Sequence, residues 1–160
     1  MSVNKHLPHL FVLPEDDANR QLANGFQLEI DFARQRQMFV LPVAGGWSAV
    51  LDQFLSDEVA SMDANTARFM VLLIDFDGKS DRLEDARNRI PERLRDRVFI
   101  LGAWNEPEDL KSALGTYETI GRALARDCRD GSNTIWEHEL LRHNAGEVAR
   151  LRERVRPILL

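Results

Sequence analysis

The residues with the clearest potential for chemistry are acidic side chains that follow short apolar segments. Glu15 comes after the segment His9–Leu13. Asp75 and Asp77 come after Phe69–Ile74, the most apolar segment of the chain. Because side chains alternate along a strand, residues spaced by two point the same way, and we expect Asp75 and Asp77 to do so. Two carboxylates held that close repel each other unless a proton or a cation intervenes, and Mg²⁺ prefers such oxygen ligands.

Further acidic residues lie beyond another apolar segment. Glu106 and Glu108 follow Val98–Leu101, much as Glu15 follows the first segment. In an open α/β sheet, ligands bind outside the carboxyl ends of the strands, so these acids would share one edge of the sheet with Asp75. The alternative is that they are solvated loop residues that stabilise helix N-termini.

The elements that must position these acids alternate along the chain. Apolar runs predict strands, and the longer periodic segments between them predict helices. The predicted strands are His9–Leu13, Met38–Val43, Phe69–Ile74 and Val98–Leu101, and the predicted helices are Asp17–Asn24, Ser48–Met62, Leu83–Arg95, Pro107–Leu114 and Glu118–Asp127. Alternating strands and helices form parallel sheets that are covered on both faces. We therefore predict an α/β three-layer sandwich with a mostly parallel sheet of four or five strands.

Two of the predicted helices have features that bear on their packing. In Ser48–Met62 the apolar residues, Leu55 among them, fall on one stripe, which predicts one buried face. Pro91 lies inside Leu83–Arg95, where a proline breaks or kinks a helix.

The C-terminal part of the chain differs from the rest in its composition. Between Ile135 and Val155 it carries spaced apolar residues among many arginines and glutamates: Leu140, Leu141, Val148, Leu151 and Val155. This pattern predicts an amphipathic helix that packs on the sheet or on a partner. We therefore divide the chain into an α/β domain, residues 1–130, and a C-terminal helical extension, residues 131–160, packed on the same domain.

The composition is that of a globular protein and restricts the classes of partner. The chain has 160 residues, enough for one domain with a substantial core. Its formal net charge of −5 argues against broad, nonspecific nucleic-acid binding, which needs a basic face. No apolar run is long enough to span a membrane, and Met1–Pro8 lacks the apolar core of a secretory signal. Cys128 is the only cysteine, so no internal disulfide can form, and we expect a cytoplasmic protein.

The order of the motifs resembles the TOPRIM family, which includes domains of topoisomerases, primases and OLD-type nucleases. Members carry a glutamate just after the first strand and Asp-x-Asp after the third. Here FVLPEDDANRQL supplies Glu15, and VLLIDFDG supplies Asp75 and Asp77. The segment MFVLPVAGGWSAVLDQFL is similar to the Gly-Gly turn that enters the second helix of the family. The resemblance covers Leu10 to Leu114.

The resemblance implies metal-dependent phosphodiester hydrolysis with DNA or RNA as the substrate. Glu15 would be the general acid or base, or a metal ligand, and Asp75 and Asp77 would hold Mg²⁺ or Mn²⁺. Glu106 or Glu108 would complete a second metal site, as later acids do in OLD-type nucleases. OLD-type domains are commonly attached to an ATPase or encoded beside one, so the resemblance also implies a separate ATPase partner.

Some positions differ from the OLD-type pattern. Asp16 replaces a glycine, Asn19 replaces a second acid, and Trp47 stands where a lysine often follows the glycines. Tyr117, the only tyrosine, is distant in the sequence from these motifs. This argues against a strand-passage nucleophile and therefore against a topoisomerase.

Two other families share parts of the pattern. EDDANRQL and VFILGAWNEPEDLKSALG resemble the first and fourth strand regions of a response-regulator receiver. In that interpretation Asp75 would accept a phosphoryl group, with Mg²⁺ held by Glu15, Asp16 and Asp77, and the protein would be a signalling or interaction module. The hydroxyl residue and the Lys-Pro pair that a receiver carries are missing from the expected places. A HAD-type phosphatase also uses Asp-x-Asp-Gly, but near its N-terminal strand.

Overall fold

The protein forms a parallel α/β sandwich. The computed structural model describes residues 3–160, so the expectation for Met1–Pro8 falls partly outside the described range, at Met1 and Ser2. The described residues contain the strands β1 (His9–Pro14), β2 (Met38–Val40), β3 (Arg68–Leu73) and β4 (Val98–Leu101). The helices are α1 (Asp17–Leu28), α2 (Trp47–Gln53), α3 (Val59–Ala64), α4 (Arg82–Arg89), α5 (Pro107–Leu114), α6 (Tyr117–Asp130) and α7 (Ala145–Leu159). Short 3-10 helices lie at Phe32–Gln37, Glu92–Arg97 and Arg142–Asn144. All strand pairs are parallel, in the order β2-β1-β3-β4, which confirms the predicted fold class.

Successive strand residues pack against different helices, as the alternation of side chains along a strand requires. Leu10 and Val12 belong to one buried cluster, which includes residues of α1, α6 and α7. Phe11 and Leu13 belong to a second cluster, which includes residues of α2, α3 and α4. Both faces of the sheet are therefore covered, and this explains why the strands are continuous apolar runs.

Two glycines allow α1 and α6 to pack in close contact. A Cβ atom on Gly25 would lie 2.2 Å from the carbonyl oxygen of Glu118. A Cβ atom on Gly121 would lie 2.1 Å from the carbonyl oxygen of Leu22. Only glycine fits at either position, so the contact fixes α1 against α6 and thereby the start of α1, where several acids lie.

Side chains of the C-terminal segment occupy the outer edge of β4. The amide of Ile100 donates a 3.4 Å hydrogen bond to the buried carboxylate of Glu147. Asn144 accepts a 3.1 Å bond from the amide of Gly102 and donates a 3.0 Å bond to its carbonyl. Arg150 donates to the carbonyl of Val98 at 3.4 Å. Because unpaired backbone groups at an edge are costly when buried, these side chains take the place of a further strand.

The C-terminal segment is more irregular than predicted, although its apolar residues are buried as expected. The predicted amphipathic helix from Ile135 to Val155 is wrong at its start, because turns and a 3-10 helix precede α7, which begins at Ala145. Leu140, Leu141 and the apolar residues of α7 join the same buried cluster as β1 and β3.

Several predicted elements end or pack differently. The helix predicted to end at Asn24 continues through Gly25 to Leu28. The helix predicted to run to Arg95 ends at Arg89, two residues before Pro91, and a 3-10 helix follows. The second strand ends at Val40, two residues before Pro42, rather than at Val43. Leu55 is 37% exposed instead of buried, because it lies in a π-helical turn, Phe54–Glu58, that interrupts the 3.6-residue periodicity. No helix within residues 3–160 is long and apolar enough to cross a membrane.

The glycine contact between α1 and α6 can be tested by substitution. Gly121→Ala should destabilise the protein by at least about 1–3 kcal/mol, because the new methyl group would force two helix backbones apart. Gly146→Ala is the matched control, since no atom lies within 4 Å of its Cβ position in α7. Alanine there should be neutral or stabilise by up to about 1 kcal/mol. Urea unfolding measures both changes, and equal stabilities would contradict the close contact.

Candidate functional site: an acidic cluster at the carboxyl edge of the sheet

The ends of β1 and β3 bring Glu15 and Asp75 together. The two strands are neighbours, with Pro14 paired to Leu73 at their carboxyl ends. The amide of Asp75 donates a 2.6 Å hydrogen bond to the carboxylate of Glu15, and the amide of Glu15 donates a 2.9 Å bond to the carbonyl of Leu73. The first acid of the predicted site is therefore in direct contact with the second.

Asn19 links the start of α1 to Asp75. Asp16 is the N-cap of α1, and its carboxylate accepts a 3.0 Å bond from the amide of Asn19. The side-chain nitrogen of Asn19 donates to Asp16 and to Asp75, at 3.0 Å in each case. Asn19 is fully buried, and its side-chain oxygen has no hydrogen-bond partner within residues 3–160. Asn19, which binds the carboxylates of Asp16 and Asp75, therefore has a side-chain oxygen that could accept a further bond.

The cluster holds more negative charge than its surroundings can stabilise. Burial raises the pKa of Asp75 to about 7; the hydrogen bond from Asn19 opposes this shift, and the charges of Glu15 and Asp16 add to it. Burial also raises the pKa of Glu15, while the hydrogen bond from the Asp75 amide lowers it. Near neutral pH the cluster therefore favours the uptake of a proton or a cation.

Asp77 is held by an arginine rather than placed beside the Asp75 carboxylate. The strand expected to align the two acids ends at Leu73, and Asp77 has a left-handed φ of 51°. The charge of Asp77 nevertheless adds to the raised pKa of Glu15. Arg82 forms a 2.7 Å ion pair with Asp77 and donates a 2.7 Å bond to the carbonyl of Asp75. The guanidinium of Arg82 also lies 4.5 Å from the centre of the Trp47 ring. A cation of the protein itself therefore neutralises the second acid of the Asp-x-Asp pair.

Glu106 and Glu108 lie at the start of α5 and are exposed. Within residues 3–160 neither carboxylate forms a hydrogen bond or ion pair with Glu15, Asp75 or Asp77.

Tyr117, at the start of α6, is closer to this region than its sequence position suggests. Burial raises the pKa of its hydroxyl, and the charges of Glu108, Asp16 and Asp75 raise it further. The charges of Glu108, Asp16 and Asp75 therefore all act on the Tyr117 hydroxyl.

Aromatic side chains pack against the loop that carries Asp75 and Asp77. Phe76 is stacked with Trp104 at 6.5 Å and meets the edge of His143 at 4.7 Å. The loop is also bound to the segment after β4, since the amide of Phe76 donates to Ala103 at 3.0 Å and that of Gly78 to Trp104 at 2.7 Å. The approach is tight, because a Cβ atom on Gly102 would lie 1.5 Å from the carbonyl oxygen of Ile74.

The cluster offers two neighbouring acidic side chains, those of Glu15 and Asp75, to a metal ion. Within residues 3–160, no three side chains of His, Cys, Asp and Glu lie close enough together to form a metal site as they stand. Mg²⁺ usually needs only one or two carboxylates, with water and substrate phosphate as its other ligands. Glu15 and Asp75 meet that requirement, and the unpaired oxygen of Asn19 adds a neutral donor. Arg82 binds the Oδ2 atom of Asp77, whose side chain is 49% exposed.

Comparisons with known proteins found no match. No protein-family model matches the sequence, and neither a curated protein nor a solved structure is similar to the chain.

Several residues of the site were not identified from the sequence. Asn19 was noted only as a departure from a family pattern, although its spacing from Asp16 is that of an N-cap pair. No sequence pattern indicated that Arg82 belongs to the site, because its contact with Asp77 depends on how the loop turns. His143 and Asn144 lie in the C-terminal segment, and only the folded chain brings them to Gly102.

The raised pKa of Asp75 predicts how stability depends on pH. The folded state binds this proton more tightly than the unfolded state, whose carboxyl group titrates near 3.8. Stability should therefore fall as the pH rises from about 4 to about 7 in a buffer that contains a chelator. Asp75→Asn keeps an acceptor for Asn19 and removes the charge, so the variant should show a weaker decline and exceed the wild type at pH 8.

Thermal unfolding across this pH range measures the free energy of unfolding of the wild type and of Asp75→Asn. The pH-dependent difference between the two should be a few kcal/mol, because one pKa unit corresponds to about 1.4 kcal/mol. Asp31→Asn is the control, since Asp31 is exposed and makes no side-chain capping bond. If the stability of the wild type and that of Asp75→Asn changed with pH in parallel, the result would contradict a buried carboxyl group with a raised pKa.

Proposed function

We propose that the protein is a Mg²⁺- or Mn²⁺-dependent phosphodiesterase that acts on DNA or RNA, a nuclease unit of the TOPRIM type. The observation that supports this most is the contact between Glu15 and Asp75 across the ends of β1 and β3. It joins the glutamate after the first strand to the first acid after the third, as the resemblance to the family implies. Asn19, which stands where the family often has an acid, binds Asp16 and Asp75 through its side-chain nitrogen.

The residues of the cluster suit the roles that hydrolysis requires. A bound divalent cation would polarise the phosphate and make an attacking water more acidic. Asp75, with support from Glu15, would hold the cation, and the bond from Asn19 fixes the direction of the Asp75 carboxylate. Glu15, whose pKa is raised by burial, would take up a proton near neutral pH better than an exposed glutamate.

Arg82 connects the two acids of the loop after β3. It binds Asp77 and the backbone of Asp75 at once, so it fixes the loop between the two acids. Under this proposal Arg82 can turn towards another anion, such as the substrate phosphate, which would leave both oxygens of Asp77 for the metal. Glu106 and Glu108 remain proposed ligands of a second ion, which would have to lie towards α5.

The receiver interpretation is the second candidate, with Asp75 as a phosphoacceptor. It receives less support because Asp75 is only 7% exposed and its carboxylate is engaged by Asn19. The edge of β4, where a further strand would pair, is also occupied by side chains of Glu147, Asn144 and Arg150.

We further propose that the nuclease unit works in the cytoplasm with a separate ATPase.

The proposal predicts cleavage of single- or double-stranded DNA or of RNA in the presence of Mn²⁺. Glu15→Gln and Asp75→Asn should each remove most of the activity, because residues that act as one unit are not additive. Asp31→Asn should leave cleavage unchanged, since Asp31 is exposed and has no side-chain capping bond. Gel assays should be run with and without any ATPase that co-purifies.

Acetyl phosphate separates the two candidates. A receiver would form an acyl phosphate on Asp75 that hydroxylamine removes, and a nuclease of this type would not. Labelling of Asp75 together with no cleavage of any nucleic acid would contradict the nuclease proposal and favour the receiver.

A further inference from the structure

A basic cleft lies beside the outer edge of β4, towards the amino end of that strand. It has a volume of 320 Å³ and is lined by Arg87, Arg95, Asp96 and Arg150. Arg87 belongs to α4, Arg95 and Asp96 to the 3-10 helix before β4, and Arg150 to α7. Three separate elements therefore direct guanidinium groups to one place.

The cleft carries more positive than negative charge. Arg87 and Arg150 share a single buried carboxylate, that of Glu147. Asp96 is paired with Arg154, at 3.9 Å. Three arginines and one aspartate line the cleft. When the ion-pair partners Glu147 and Arg154 are added, four arginines accompany two carboxylates, an excess of two positive charges in a chain whose net charge is −5.

Arg95 has the donors that a ligand could use. Its Nε atom donates a 3.1 Å bond to the carbonyl of Ile90, which fixes the direction of the side chain. Its two terminal nitrogens form no hydrogen bond or ion pair within residues 3–160. The side chain of Arg87 is 43% exposed, whereas both terminal nitrogens of Arg150 already donate, to Glu147 and to the carbonyls of Arg95 and Val98. Arg95 and Arg87 are therefore the side chains that a ligand would meet. Planar guanidinium groups in this arrangement favour phosphate over a smaller or less charged anion.

We propose that this cleft binds phosphate groups of a nucleic-acid strand, an inference that rests on the proposed function. Arg95 offers two terminal nitrogens at the cleft, and Arg87 offers a partly exposed guanidinium group. Guanidinium groups bind phosphate oxygens through pairs of parallel N–H···O bonds.

The inference explains how an acidic protein could hold an acidic substrate. Its overall charge repels nucleic acid, so binding must come from a local excess of positive charge. The cleft supplies that excess away from the carboxylates, which would otherwise repel the same strand. Contact with phosphates alone would position the substrate without reading its sequence.

The test measures binding in a chelator, where no cleavage can occur. Fluorescence anisotropy of a labelled oligothymidylate should be followed between about 50 and 200 mM salt. Arg95→Gln should lower the affinity several-fold and reduce the slope of log affinity against log salt by about 0.7, the value for one lost contact with a single strand. Arg95→Lys should retain most of the slope because it keeps the charge.

Arg93→Gln is the matched control, because it removes the same charge from an exposed arginine whose partner is Asp63 rather than the cleft. Equal losses in the two glutamine variants, or no binding by the wild type, would overturn the inference. So would binding of polyglutamate, instead of the oligonucleotide, with the same dependence on Arg95.

The outcomes also separate this inference from the proposed hydrolysis. Binding that depends on Arg95, without cleavage in the presence of any metal, would support the binding cleft and contradict the proposed hydrolysis. Cleavage with Mn²⁺, together with unchanged binding by Arg95→Gln, would support the hydrolysis and contradict the binding cleft.

Discussion

The candidate site depends on one constraint, the adjacency of β1 and β3 at their carboxyl ends. Because the strands are parallel neighbours, Glu15 and the backbone of Asp75 meet at 2.6 Å. Asp75 is buried there and Glu15 is partly buried, and the N-cap of α1 adds Asp16. Charge that the sheet brings together must then be neutralised by a proton, a cation or a side chain. The raised pKa of Asp75 and the ion pair of Asp77 with Arg82 are two responses to this constraint.

The rest of the structure keeps these groups in place. Gly25 and Gly121 allow α1 to pack on α6, which fixes Asp16 and Asn19 at the start of α1. On the other side, Asn144 and His143 bind Gly102, and His143 also packs on Phe76 between the two acids of the loop. The C-terminal segment thus closes the open edge of β4 and supports the loop of the site at the same time.

Much of the fold could be predicted from the sequence, because it follows from local patterns. Apolar runs identified the four strands within the described residues, and turn residues separated them from the helices. The errors have local causes: Pro91 ends α4, and a π-helical turn exposes Leu55. The start of α7 and the sealed edge of β4 could not be predicted, because they depend on contacts such as that of Ile100 with Glu147, 47 residues apart.

The site was predictable to the extent that strand ends determine it. The convergence of Glu15 and Asp75 followed from their positions after two strands of one parallel sheet. The position of Asp77 did not, because the chain leaves the strand at Leu73 and turns through a left-handed conformation. The spacing of Asn19 from Asp16 indicates an N-cap pair, but the bond of Asn19 to Asp75 and the contact of Arg82 with Asp77 depend on the folded chain.

The most direct test of the account is a crystal structure of the protein grown with Mn²⁺ and measured at a wavelength where manganese scatters anomalously. The account predicts an anomalous peak beside the carboxylates of Asp75 and Glu15, and no such peak in an Asp75→Asn crystal. A wild-type structure without that peak, in which Asn19 still binds Asp75 and Arg82 still binds Asp77, would contradict a metal-dependent site.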